Sequence, residues 1–184
     1  MLRIAVDAMG GDEGPGTVVE GAVQAANDFD LEIILVGKEE VVKRELSRHR
    51  VIGGRITIQN ADEVIEMGDV PVKTVIKKKN SSIVVSIDLL KSGEAQAFVS
   101  AGNTGAMVAA STLFLGLLPG IKRPGIATPF PTLRGLTAVI DVGANLGPTA
   151  EQLFQYAVMV EVFARSILKK ARPTIGLLNV GEEE

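Results

Sequence analysis

LRIAVDAMGGDEGPGTVVEGAVQAANDFDLEIILVG, residues 2–37, is the stretch on which the fold turns. Leu2–Val6 is a short apolar run of the kind that forms a buried strand. A loop rich in glycine follows. Pro15 to Asn27 then reads as a helix, with Pro15 in its first turn, where a missing N–H costs nothing. Leu31–Val36 is a second buried strand, stopped by Gly37. Strand, helix, strand in this order places two parallel strands in one sheet with the helix packed across it.

The same alternation continues along the chain. Glu39–Arg48 reads as a polar amphipathic helix and Arg55–Gln59 as a strand. A loop with Gly68, Asp69 and Pro71 leads to a basic helix near Val72–Lys79, and Ser81 or Ser82 could cap a further helix through Lys91. Ala97–Ser100 reads as a strand and Asn103–Leu115 as a buried helix of small residues. After the Pro/Gly-rich connection Leu118–Gly125, Ala127–Thr128 and Leu136–Ile140 look extended. Thr149–Lys170 is a long helix and Thr174–Leu178 a final strand. The expected architecture is a three-layer α/β/α fold with a mostly parallel sheet. No repeat, low-complexity tract or linker divides residues 1–184, which read as a single α/β region. The end at Asn179–Glu184 falls just past a strand, where a further helix is expected.

Composition agrees with this class. The chain has 184 residues, 46% of them hydrophobic, with 20 Gly, six Phe, one Tyr and no Trp. A core of Val, Ile, Leu and Ala with many glycine turns suits a buried parallel sheet. The net charge of -3 carries no basic excess, so nucleic acid is not an expected partner. The absence of cysteine removes disulfides, thiolate metal sites and a catalytic thiol, and fits a reducing cytosol. Met1 runs directly into the first strand, so a signal peptide is not expected. Ala101–Leu118 is too short and too polar for a membrane span.

In open α/β sheets ligands gather at the carboxyl ends of the strands. Four loops there share a composition of Gly with Asp, Asn, Ser or Thr: Asp7–Asp12, Ser100–Gly105, Asp141–Asn145 and Asn179–Glu183. Glycines let the backbone turn its N–H groups towards an anion, and the following helix adds the positive end of its dipole. Ser100, Asn103, Thr104 and Asn145 could add side-chain donors. Taken singly, each loop is also what turn geometry alone would produce.

Other signatures are missing. No G-x-G-x-x-G follows the first strand, and Gly37-Lys38 continues with Glu39, so neither a dinucleotide site nor a P-loop is expected. No Gly-x-Ser-x-Gly elbow is present. His49, the one histidine, sits between Arg48 and Arg50 at a helix end, the setting of a solvated residue. Asp7, Asp12 and Asp141 are too scattered to announce a metal, and no metal or cofactor is expected. Lys77-Lys78-Lys79, Lys122-Arg123 and Lys169-Lys170-Arg172 read as solvated helix ends or as a docking surface for an acidic partner.

The ordered set Ile4–Asp12, Ser100–Ala106, Pro119–Pro124, Asp141–Asn145 and Asn179–Glu183 resembles the bacterial phosphate acyltransferase family (PlsX) over essentially the whole chain. The chain departs from that pattern at Glu13, where His is usual. It departs again at Val84, where Arg is common, and over Leu146–Glu151, where an Asp-Cys-Lys-Pro-Glu-like stretch is common. The resemblance implies a fold similar to isocitrate dehydrogenases and phosphotransacetylases. It also implies that residues 1–184 are the amino-terminal part of a homodimeric enzyme about 330 residues long. The implied reaction moves a fatty acyl group from acyl carrier protein (acyl-ACP) to inorganic phosphate, giving acyl phosphate for phospholipid synthesis. It implies no cofactor and a cytoplasmic location, with peripheral membrane association through the missing part.

On that basis Asn103, Thr104 and Asn145 are the expected catalytic residues. Gly10, Gly11, Asp12, Ser100, Gly102 and Asp141 are the expected phosphate or oxyanion site, with Asp7 and Asp12 orienting their loop. Two other readings remain open: a short-chain phosphotransacylase using acyl-CoA, and a non-catalytic scaffold for acyl carrier protein.

Overall fold

A computed structural model describes residues 1–178. The chain divides into two compact units, Met1–Gly116 and a second beginning at Leu117.

In the first unit, β1 (Leu2–Asp7), β2 (Leu31–Gly37), β3 (Ile56–Asn60) and β4 (Ala97–Val99) form one sheet in the order β3-β2-β1-β4. All of its pairings are parallel. Alternation along the strands feeds both faces. Val6, Ala8, Ile33 and Leu35 pack with Val19, Ala22, Val23 and Ala26 of α1 (Pro15–Asp28) and with Val42 of α2 (Glu39–Leu46). The intervening Ala5, Ile34 and Val36 pack instead with Ala61, Ala95 and Leu89, the last on α4 (Ser82–Ser92). The buried α1 residues recur at intervals of three, one and three, the spacing of a single helix face. A sheet covered on both faces is the three-layer arrangement expected.

A second cluster joins α4 to the helices around it. Val75 of α3 (Pro71–Lys77) and Ile83, Val84 and Ile87 of α4 pack with Ala106, Ala109 and Ala110 of α5 (Thr104–Ala110). Ser81 is the residue that caps α4, accepting from the Val84 N–H, and Gly93 ends that helix in the left-handed region with φ 80°. The helix expected over Asn103–Leu115 is α5 followed by a π-helical turn, Ser111–Leu115. α3 stops at Lys77 rather than Lys79: Lys78 leaves the helical region at φ -94°, ψ 71°, and its side chain donates to Val64 O and Asp69.

In the second unit, β5 (Ala127–Thr132) and β6 (Gly135–Ile140) pair antiparallel with each other. Only Leu133 and Arg134 separate them, and so short a connection can join only antiparallel strands. α6 (Ala150–Ser166) opens on a capping box in which Thr149 and Gln152 each bond the other's backbone. It ends before Lys170, and Lys169 has a left-handed φ of 56°. Thr174–Leu178 is not a strand: it pairs with no other strand among the described residues. No helix among the described residues is long and apolar enough to cross a membrane.

Leu35 is 0% exposed at the centre of the sheet. Leu35→Ala should therefore destabilise the first unit by about 2–5 kcal/mol. Urea denaturation would read this as a lower midpoint with an unchanged slope.

Candidate functional site

β1 has β2 on one side and β4 on the other. The chain runs outward from β1 through β2 to β3, then returns to β4 across β1's opposite edge. That reversal is a topological switch point, where loops leaving neighbouring strands open a crevice at the carboxyl end of the sheet. The two loops leaving it are Ala8–Gly14 and Ser100–Asn103.

These loops touch through glycine. A Cβ on Gly10 would lie 2.7 Å from Asp7 Oδ2 and 2.7 Å from Gly102 N, and a Cβ on Gly102 would lie 3.4 Å from Gly10 Cα. A larger residue at Gly10 would push the loops apart, and one at Gly102 would crowd Ser100 Oγ at 3.1 Å and Asp7 Oδ2 at 3.2 Å. A polar chain runs beside this contact. Ser100 Oγ donates to Asp7 Oδ2 at 2.7 Å and accepts from Gly102 N at 2.9 Å, while Asp7 Oδ1 accepts from Met9 N at 3.0 Å. Asp7 is 1% exposed, and these bonds stand in for the water its carboxylate has lost.

Asn103 caps α5, its Oδ1 accepting from Ala106 N at 2.9 Å. Its Nδ2 lies within hydrogen-bond distance of the carbonyls of Glu66, Met67 and Asp69, at 3.1–3.3 Å. The amide is thus fully engaged in tying the loop before α3 to the loop before α5. Asp69 holds that loop closed, accepting from Glu66 N and from Lys78 Nζ. The Lys78 hydrogen bond is the main reason its carboxyl lies below the ordinary range.

With these side chains committed, the donors left over are mainly backbone. The N–H groups of Gly10, Gly11, Thr104 and Gly105 meet no acceptor among the described residues. Thr104 is exposed and its hydroxyl is unbonded there. Gly11 holds φ 99°, a conformation that favours glycine. Asp12 is exposed, and its carboxylate makes no hydrogen bond among the described residues. Gly10, Gly11, Ser100, Gly102, Asn103 and Thr104 therefore come together in the first unit.

The Asp141–Asn145 loop belongs to the second unit. Asp141 Oδ1 accepts from Ile126 N and Ala144 N, and its Oδ2 accepts from Asn145 N and Nδ2. Partial burial pushes this carboxyl up, but those four bonds outweigh the push and hold it below the ordinary carboxylate range. Asn145 Nδ2 also donates to Pro124 O at 2.7 Å. The fourth glycine loop, Asn179–Glu183, lies outside the described residues. No group of acidic or histidine side chains among the described residues could hold a metal.

One participant went unread in the sequence: the loop Glu66–Asp69, at which only its Gly68-Asp69 turn hinted. The basic stretches are also less uniform than they read, since Lys78 is bonded inward and Lys122 pairs with Glu151 at 2.6 Å.

Residues 2–184 match a family described as fatty acid synthesis protein. A protein of Desulfitobacterium hafniense (strain Y51) named phosphate acyltransferase is 51% identical over 184 residues, covering 100% of this chain and 55% of that protein. One of Geobacter sulfurreducens with the same name is 52% identical over 183 residues, covering 100% of this chain and 53% of that one. The chain thus spans about half the length of the curated relatives it matches. A phosphotransacetylase crystal structure from Streptococcus pyogenes superposes with a TM-score of 0.60 at 23% identity, over 85% of this chain and 51% of that one, a likeness of fold.

Gly10→Ala should separate the two loops and destabilise the first unit by about 1–3 kcal/mol, read by thermal melting. For Asp141 the depressed carboxyl sets the sign. Its stabilising contribution is present above the unfolded pKa of about 4 and is lost as pH falls through the lower folded value. Asp141→Asn should therefore melt earlier than the parent at neutral pH, with the difference shrinking below about pH 4.

Proposed function

The chain belongs to the fatty acid synthesis protein family, and from that membership we propose that its full-length protein is a phosphate acyltransferase acting on acyl-ACP. The observation that carries this reading is the contact of Gly10 with Gly102, which gathers four unbonded backbone N–H groups at the switch point in a family whose relatives bear that name. Such a cradle suits an anion such as phosphate.

Phosphate at neutral pH is already anionic, so it needs positioning more than deprotonation. One phosphate oxygen attacks the thioester carbonyl carbon, and the carbonyl π electrons move onto oxygen. When the tetrahedral intermediate collapses, the C–S bond breaks and the thiolate of the carrier leaves and takes a proton, giving acyl phosphate. The protein's share is to hold phosphate against the thioester and to stabilise the oxyanion.

The N–H groups of Gly10, Gly11, Thr104 and Gly105 and the Thr104 hydroxyl are the proposed contacts. Gly102, Ser100 and Asp12 belong to the same loops, and Asn103 serves by fixing the start of α5. Asn145 and Asp141 are proposed to shape a further substrate contact. Homodimerisation and peripheral membrane association rest on the family resemblance, and a cytoplasmic location on that resemblance together with the absence of cysteine. Lys77 and Lys79, both exposed, are the proposed first contacts for acidic acyl carrier protein.

Phosphate-dependent thiol release from palmitoyl-acyl carrier protein, with hydroxylamine-trappable acyl phosphate, is the expected activity of the full-length protein. Release from acetyl- or butyryl-CoA alone would favour a short-chain phosphotransacylase. Phosphate binding without turnover would favour a scaffold. Thr104→Val should raise the KM for phosphate, and Asn103→Ala should lower turnover and stability together. If neither changes the phosphate dependence, the assignment of this loop fails. Charge reversal at Lys77 and Lys79 should slow the encounter with acyl carrier protein most at low salt.

A further inference from the structure

Helix α3 is apolar on two sides. Thr74 and Val75 are buried against the core. Val72 and Ile76, four residues apart and so neighbours on the helix surface, are each more than half exposed. The loop before α3 adds Met67 and Val70, also more than half exposed. Single exposed apolar side chains are ordinary, but four gathered on one loop and the helix it opens mark an interaction surface.

The same stretch is basic. Residues 66–79 hold four lysines against two acids, Glu66 and Asp69. Lys78 is turned in on Asp69 at 2.8 Å. Lys73, Lys77 and Lys79 are exposed and form no ion pair among the described residues. Lys73 follows Val72 and Lys77 follows Ile76, so a basic row runs beside the apolar one. Permanent interfaces are more apolar than this, whereas an apolar centre with a charged rim suits a partner that comes and goes.

This face is continuous with the anion cradle. A Cβ on Gly105 would lie 2.7 Å from Pro71 Cγ, so the first residue of α3 packs on the start of α5, where the Thr104 and Gly105 N–H groups are unbonded. Asn103 holds the carbonyls of Glu66, Met67 and Asp69 from the same place. With seven residues α3 is only about 10 Å long. Whatever seats along it stands beside the cradle.

We propose that the outer face of α3 is the seat of the acyl carrier protein. Val72 and Ile76, with Met67 and Val70, take an apolar strip of the carrier, and Lys73, Lys77 and Lys79 take the acidic groups around that strip. The lysines guide the encounter, and the apolar contact holds the carrier while its thioester reaches the cradle. The identity of the partner rests on the acyltransferase reading.

The test uses the double variant Val72→Gln, Ile76→Gln in the full-length protein, since glutamine keeps the helix and removes the apolar surface. Its KM for palmitoyl-acyl carrier protein should rise about tenfold. Its kcat, its KM for phosphate and its turnover of palmitoyl-pantetheine, a thioester without the carrier, should stay at the parent's values. The rise should persist at high salt, where the effect of Lys73→Glu should fade. An unchanged KM for the carrier thioester, or an equal rise for both thioesters, overturns the proposal. So does a marked drop in melting temperature, which would show the face already covered by the rest of the full-length chain or by a second copy. A parent without phosphate-dependent thiol release sinks the acyltransferase reading but not this inference, which direct binding of holo-acyl carrier protein then decides. The double variant should bind it about tenfold more weakly, and equal binding, or none by the parent, overturns the proposal.

Discussion

Two glycines and one buried carboxylate hold the first unit's loops in place, and much else follows from that constraint. Gly10 and Gly102 let the loops after β1 and β4 run backbone to backbone. Asp7 sits beneath them, bonded to Ser100 from the second loop and to Met9 from its own. A buried carboxylate without such donors would be strongly unfavourable, so the pairing fixes both loops as it satisfies the charge. The start of α5 is then set by Asn103, which reaches back to the loop before α3.

The consequence is a division of labour. Side chains that look like ligands in the sequence are occupied in holding backbone. Ser100, Asn103 and Asp7 have their hydrogen-bonding groups bonded within the protein. The groups left to meet an anion are backbone N–H donors, whose positions the side chains enforce. Fixed dipoles of this kind need no reorganisation when charge arrives, and that is the property a site for a developing oxyanion requires.

The second unit repeats the device with different parts. Asp141 follows β6 as Asp7 closes β1, and each carboxylate gathers N–H groups from the loop that comes after it. Asp141 takes four donors against Asp7's two, and one of the four is Ile126 N, just before β5.

The sequence by itself determined most of the strands and helices of the α/β fold, though not Thr174–Leu178, because the periods of apolar residues and Pro15 at a helix start act over a few residues. It also picked out the glycine loops, since a backbone that must turn or approach another closely leaves a compositional mark. It could not say that Gly10 meets Gly102, which lies 92 positions away. That contact depends on β4 pairing with β1, a choice made by packing over the whole sheet. Nor could it say that the Asn103 amide is occupied. Hydrogen-bond satisfaction is a property of atoms brought together from distant segments, and only the tertiary structure decides which of them meet.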